Sequence, residues 1–214
     1  MKVGTDGVLL GAWAELPPSG RILDVGTGTG LIALMAAQRT AAEVVGVEID
    51  PDAAGQAAEN VQASPWPSRC TIVCSDIADY RPAFQFDAIL SNPPYYGGTL
   101  LPPDAGRARA RHTSSLPFPL LARAARRLLL PDVGTLQVVL PCDEEDAFLA
   151  ACAPAGLYPS RRTLVRTRPG KAPSRLLLAI SPRNLRTRED ELLLMDADGG
   201  RSEAYRQLTA AFYL

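Results

Sequence analysis

Asp24, Glu48 and Asp76 each stand at the C-terminal end of a short apolar run, and a fourth such run ends in SNPPYY, residues 91–96. The first run leads into VGTGTG. There Gly26, Gly28 and Gly30 free the backbone to turn sharply and let a ligand approach closely. The amides that open the following helix would point at that ligand. A dinucleotide fingerprint is G-x-G-x-x-G with an acid about 20 residues further on. Here the spacing is G-x-G-x-G with an acid, Asp24, ahead of it. Three acids at three neighbouring strand ends would repel a pyrophosphate. They suit a cationic ligand that contains adenosine: Glu48 can accept both ribose hydroxyls and Asp76 can receive the adenine amine. S-adenosylmethionine, with its sulfonium and ammonium charges, has this chemistry.

SNPPYY adds a second kind of site. Two prolines cannot continue a helix or sit inside a central strand. Asn92 supplies a side-chain carbonyl, and Pro93 a backbone carbonyl whose direction the proline rings fix. Together they can accept both hydrogens of one planar NH2 group. The amine of adenine is a poor nucleophile because its lone pair is delocalised into the ring. Two acceptors that draw its hydrogens out of plane would localise that pair. Preorganised dipoles of this kind cost nothing to reorganise at the moment of reaction. Tyr95 can stack on a base presented from a loop or single strand. An amide NH2 would suit the same acceptors.

These residues need a frame of alternating strands and helices. Arg21–Val25, Val44–Ile49, Cys70–Cys74, Phe86–Leu90, Thr135–Leu140 and Leu176–Ile180 read as strands, with a broken strand near 161–166. Leu31–Arg39, Ala53–Ala63, about 119–130 and 143–153 read as helices. Pro17 and Pro18 mark a turn between an N-terminal helix and the first strand. SEAYRQLTAAFYL closes the chain as an amphipathic helix opened by Ser202 and Glu203. The alternation predicts a doubly wound α/β sheet.

Bulk composition bounds the rest. The chain has 214 residues, 47% hydrophobic and 21% charged, which suits one globular domain. It lacks a run of eighteen apolar residues, and its first residues do not read as a signal peptide. Cys70, Cys74, Cys142 and Cys152 lack CxxC spacing, and His112 is the one histidine, so neither zinc nor another metal is expected and a cytoplasmic location fits. Trp66 in SPWPS reads as a packed loop residue. Net charge is −1, but residues 1–106 hold 5 basic and 12 acidic side chains and residues 107–214 hold 17 and 11. A basic C-terminal half suggests a polyanionic partner.

With VGTGTG, Glu48, Asp76 and SNPPYY in place, the chain resembles class I methyltransferases that act on amino or amide nitrogens. MKVGTDGVLLGAWA at the start and SEAYRQLTAAFYL at the end narrow the resemblance to the bacterial tRNA(Val) adenine-37 N6-methyltransferase family. It runs over nearly the whole chain. The resemblance implies a single Rossmann-like methyltransferase domain over 1–214, with a seven-stranded sheet whose last strand is antiparallel. Residues 1–18 would cover the cofactor, 19–141 would form the cofactor-binding half, and 142–214 would complete the sheet and add the terminal helix. It implies S-adenosylmethionine as cofactor, held by Thr5 and Asp6 from above, by Asp24, Gly26 and Gly28 at the methionine moiety, by Glu48 at the ribose, and by Ile49, Asp76 and Ile77 at the adenine. Asn92 would border the cofactor and, with Pro93, Pro94 and Tyr95, hold a target adenine in the anticodon loop of a tRNA. Arg107, Arg109 and Arg111 would meet RNA phosphates, and Arg161, Arg162, Arg166, Arg168 and Lys171 would extend that track. Relatives would carry a further stretch ahead of KVGTDG. The rival readings are a protein glutamine N5-methyltransferase, an N-methyltransferase acting on another RNA or a small molecule, and a binding module with a decayed site.

Overall fold

Side chains that alternate along RILDV, EVVGVE and AILS send every second residue to one face of a sheet. The computed structural model describes residues 4–94 and 116–212. Its strands are β1 (Arg21–Val25), β2 (Glu43–Glu48), β3 (Cys70–Cys74), β4 (Ala88–Ser91), β5 (Thr135–Pro141), β6 (Tyr158–Arg166), β7 (Arg175–Ser181) and β8 (Arg188–Leu193). The described helices are α1 (Thr5–Trp13), α2 (Leu31–Arg39), α3 (Pro51–Ala63), α4 (Phe118–Leu128), α5 (Glu145–Cys152) and α6 (Glu203–Thr209).

The strands form one sheet in the order β3-β2-β1-β4-β5-β7-β6-β8. All run parallel except β7, which is antiparallel to both β5 and β6. The expected seven strands with an antiparallel seventh are present, but the sheet has an eighth. β8 is REDELL, and its first four residues are exposed. It carries no apolar alternation, so sequence periodicity passed over it. What holds it is a parallel ladder to β6 and cross-strand charge pairs, Arg161 with Asp190 and Arg166 with Glu191. A charged edge strand also resists pairing with another chain.

The two faces bury different sets. Leu23, Val25, Ile89, Val138 and Leu178 pack with α4 and α5 on one side. Ile22, Val44, Leu90, Val139 and Leu177 pack with α1, α2 and Val61 of α3 on the other, where Tyr205 of α6 joins them. Trp66 packs against this second core, as a loop residue should. All four cysteines are free, and burial pushes the Cys152 thiol up to about 12. No helix among the described residues is long and apolar enough to cross a membrane.

With seven strands parallel, their C-terminal ends share one rim, and the start of β7 lies on it too. Crossing from β3 to β6, that rim presents Asp76, Glu48, Gly26, Asn92, Cys142, Arg175 and Arg166 in turn. Acids occupy one end and bases the other, with Asn92 between them.

Candidate active site

The centre of the site is set by register. Val25 of β1 pairs with Ser91 of β4, so Gly26 and Asn92 leave the sheet side by side. Adjacent strands lie about 4.8 Å apart. Ser91 is fully buried, and its hydroxyl donates to the Val25 carbonyl at 2.9 Å, which pins the two exits together.

Gly26 turns the chain at φ +70°, a conformation that L side chains rarely adopt. A Cβ built there would meet no heavy atom within 4 Å. The demand for glycine is therefore conformational, and open space lies above the turn. Gly30 takes φ +84° as the residue that opens α2.

Asp24 sits beneath this turn with no solvent exposure. Its Oδ2 accepts from the Thr27 hydroxyl at 2.5 Å and from the Ala33 amide of α2 at 3.1 Å. Its Oδ1 is buried and has no hydrogen-bond partner among the described residues. Burial pushes the carboxyl up to about 7, helped by the charge of Glu48 and opposed by those two donors. Gly46 stands opposite Asp24 on β2. A Cβ there would lie 2.9 Å from Thr27 Oγ1 and 2.8 Å from Ile72 Cδ1, so Gly46 makes room for the hydroxyl that holds Asp24. Thr27 and Gly46 escaped the sequence reading, although Thr27 lies inside the motif and could have been asked what its hydroxyl bonds.

Glu48, at the end of β2, gathers three backbone amides. Its Oε2 accepts from the Gly28 amide at 2.8 Å, and its Oε1 from the Ile49 and Asp50 amides at 2.9 and 3.0 Å. A carboxylate offers about four acceptor positions. Three are taken, which leaves room for one hydroxyl rather than two unless an amide is released. Ile49 beside it is 43% exposed, an unusual state for isoleucine. Asp76 Oδ1 caps its own turn by accepting from the Ala78 amide at 2.8 Å, and the residue is half-buried. Ile77 turns into the core with Val73 and Tyr80, so it can offer a passing ring its backbone rather than its side chain. Arg127 of α4 holds this loop, donating to the Tyr80 and Ile77 carbonyls at 2.6 and 3.0 Å.

On the other side of Gly26, Asn92 is half-buried, Pro93 buried and Pro94 exposed. Tyr95, Arg107, Arg109 and Arg111, with Tyr96 and His112, lie outside the described residues. Thr5 is exposed in the first turn of α1. Asp6 is tied to Arg175 of β7 by an ion pair of 2.9 Å. Gly7 brings the same turn against α2, since a Cβ there would come within 3.2 Å of Leu31 Cδ2. The first turn of α1 therefore reaches from the helix after the glycine turn to the far side of Asn92.

Of the arginines expected to form a track, three are already engaged. Arg161 pairs with Glu15 and Asp190 and lies 4.5 Å from the Trp13 ring centre. Arg162 pairs with Glu145 at 2.6 Å, and Arg166 with Glu191 at 3.1 Å. Arg168 and Lys171 are exposed.

An unpartnered buried carboxyl oxygen, open space over Gly26, a mostly satisfied carboxylate at Glu48 and an exposed Ile49 fit a cationic adenosine ligand such as S-adenosylmethionine. Comparison with known proteins agrees in kind. The family model for the methyltransferase small domain matches residues 4–109. A tRNA1(Val) (adenine(37)-N6)-methyltransferase of Bacteroides fragilis strain YCH46 is 48% identical over 217 residues, covering 100% of this chain and 91% of the relative. The protein of that name from Tolumonas auensis is 45% identical, covering 100% and 90%. Among solved structures, a predicted O-methyltransferase of Agrobacterium tumefaciens superposes with a TM-score of 0.75 at 20% identity, covering 97% of this chain and 96% of the other. A glycopeptide N-methyltransferase complexed with S-adenosylmethionine superposes with a TM-score of 0.61 at 13% identity, covering 82% and 94%. Both superpositions concern the fold alone.

Proposed function

The chain belongs to the tRNA1(Val) (adenine(37)-N6)-methyltransferase family, and from that premise we propose how its own residues perform N6-methylation of a tRNA adenine. The single observation that carries the reading is the Val25–Ser91 register, which brings the glycine turn and Asn92 out of the sheet together.

S-adenosylmethionine, when bound, supplies the methyl group. Asp24 and Gly26 face its methionine end, Glu48 its ribose, and Ile49 and the Asp76 loop its adenine. Asn92 Oδ1 and the Pro93 carbonyl each accept one hydrogen of the target amine. Bent out of plane, that nitrogen regains a localised lone pair directed towards Gly26. Pro93 and Pro94 remove backbone donors that would compete for the carbonyls, and their rings hold the carbonyl directions. Tyr95 stacks on the flipped base. The proton lost from the methylated amine passes to solvent. The target is a single-stranded adenine of the anticodon loop, at position 37.

The test is transfer of labelled methyl from S-adenosylmethionine into an unmodified tRNA(Val) transcript, followed by digestion to nucleosides. Label recovered as N6-methyladenosine, and absent from a transcript with adenine 37 replaced, is expected. An unlabelled transcript, with label on the glutamine of a release factor supplied in a parallel reaction, would overturn the reading.

A further inference from the structure

The turn between β6 and β7 carries two cations that the structure leaves uncommitted. Arg168-Pro169-Gly170-Lys171 is a β-turn closed by the Lys171 amide donating to the Arg168 carbonyl at 3.2 Å. Proline at the second position and glycine at φ +74° in the third are what a type II turn requires. The first and fourth residues of such a turn stand within about 7 Å of each other. Arg168 and Lys171 are therefore carried at neighbouring backbone positions, both exposed, and neither side chain forms an ion pair or hydrogen bond with a described residue. Arg166 braces the turn from below. Its Nη1 donates to the Lys171 carbonyl at 2.8 Å while its Nε and Nη2 engage Glu191, so it steadies the pair and is not itself available.

Placement gives the pair its meaning. β6 ends and β7 begins on the same rim as Asn92, three strands away in the order β4-β5-β7-β6. That separation is about 14 Å at ordinary strand spacing. On the opposite side of Asn92 the rim is acidic, with Glu48 and Asp76. Beyond β8, the turn that holds Asp196 and Asp198 bounds the basic stretch. The loop from β7 to β8 carries another exposed pair, Arg183 and Arg186, but at the far end of the sheet.

We propose that Arg168 and Lys171 form a preorganised phosphate clamp that grips the RNA backbone beside the methylated loop and sets its approach to Asn92. The proposal rests on the RNA-methylating reading above and adds to it where the polyanion lies. Two cations carried on one tight turn repel each other in the free protein, and phosphates remove that repulsion. The clamp reads no sequence; it positions.

The test compares the double variant Arg168→Ala/Lys171→Ala with Arg183→Ala/Arg186→Ala, measuring binding of the tRNA transcript across a potassium chloride series. The clamp variant should bind about tenfold or more weakly at low salt, with the salt slope reduced by about 2. Its KM for tRNA should rise, with cofactor affinity and melting temperature unchanged. The far-end variant should keep the wild-type slope. A wild-type slope in the clamp variant of a tRNA-methylating protein overturns the clamp alone, as does an equal loss in both variants. A wild-type protein that methylates no RNA overturns the functional reading, and the clamp with it.

Discussion

Arg175 Nε donates to Asp6 Oδ2 at 2.9 Å, joining the first residue of β7 to the first turn of α1, 169 positions apart in sequence. The same turn presses Gly7 against Leu31 at the start of α2. One short helix thus ties the start of α2, on one side of Asn92, to the start of β7 on the other. A partly exposed ion pair contributes only about 1 kcal/mol to stability, so its main effect should be positional. Asp6→Ala and Arg175→Ala are each expected to lower kcat/KM about tenfold with a small change in melting temperature. The swap Asp6→Arg/Arg175→Asp should recover a good part of that loss. Strictly additive losses in the swapped protein would show that the two residues act separately.

Asn92 should matter for the chemical step more than for cofactor binding. Removing one preorganised acceptor from a reacting group costs about 3–4 kcal/mol, a factor of roughly 10² to 10³ in kcat. Asn92→Ala is expected to show that drop, with cofactor affinity within a few-fold by calorimetric titration. If the cofactor no longer binds, Asn92 is a scaffold residue and the acceptor role belongs elsewhere.

The elements that place these residues were mostly legible. Strands β1, β3 and β5 follow from short runs rich in apolar residues, and the glycine turn from its spacing. β8 was not, because REDELL lacks apolar alternation; a backbone ladder to β6, Leu192 in the core and charge pairs with Arg161 and Arg166, whose charges look merely solvated, hold it in place. The acids at Asp24, Glu48 and Asp76 were legible as types and places. What they bond was not: Glu48 spends three acceptor positions on amides, which only the folded turn brings to it. Ile77 shows the same limit, since its side chain goes to the core. The arginine track rested on the family resemblance and on the basic charge of the C-terminal half. Folding neutralises Arg161, Arg162 and Arg166 with acids from β8, α5 and the segment after α1.

Gly46 tests the link between packing and site. It is an ordinary strand residue without positive φ, and its absent side chain makes room for Thr27 Oγ1. Gly46→Ala should force Thr27 from Asp24 and cost about 1–3 kcal/mol by overpacking. Cofactor affinity should fall with it, because the turn that Thr27 belongs to shifts. Thr27→Val at the same site keeps the shape and removes the donor. Unchanged unfolding and unchanged cofactor binding in both variants would mean that the Thr27–Asp24 bond holds nothing in place.

Asp24 should leave a signature in the pH dependence of stability. Its ordinary value is 3.8, and burial raises it to about 7 in the folded protein. Below about pH 4 the carboxyl is protonated in both states and costs nothing. As pH rises from there towards 7, the unfolded chain releases its proton while the folded one keeps it, so stability falls. Above 7 both states are ionised and the loss is constant, at most on the order of 4 kcal/mol. Asp24→Asn should remove this component, although its amide gains no partner where Oδ1 now stands, which costs stability at every pH. The measurement is the difference in urea unfolding free energy between wild type and variant across this range. Other titrating groups are common to both proteins and cancel. The difference should move in favour of the variant between about pH 4 and 7 and then level off. A cationic ligand beside the carboxyl would favour its charged form. Wild-type affinity for S-adenosylmethionine should therefore strengthen as pH rises through about 7, and that of the variant should not. A difference that stays flat across the whole range would mean that Asp24 is already ionised beneath the turn, its charge met by the Thr27 hydroxyl and the Ala33 amide.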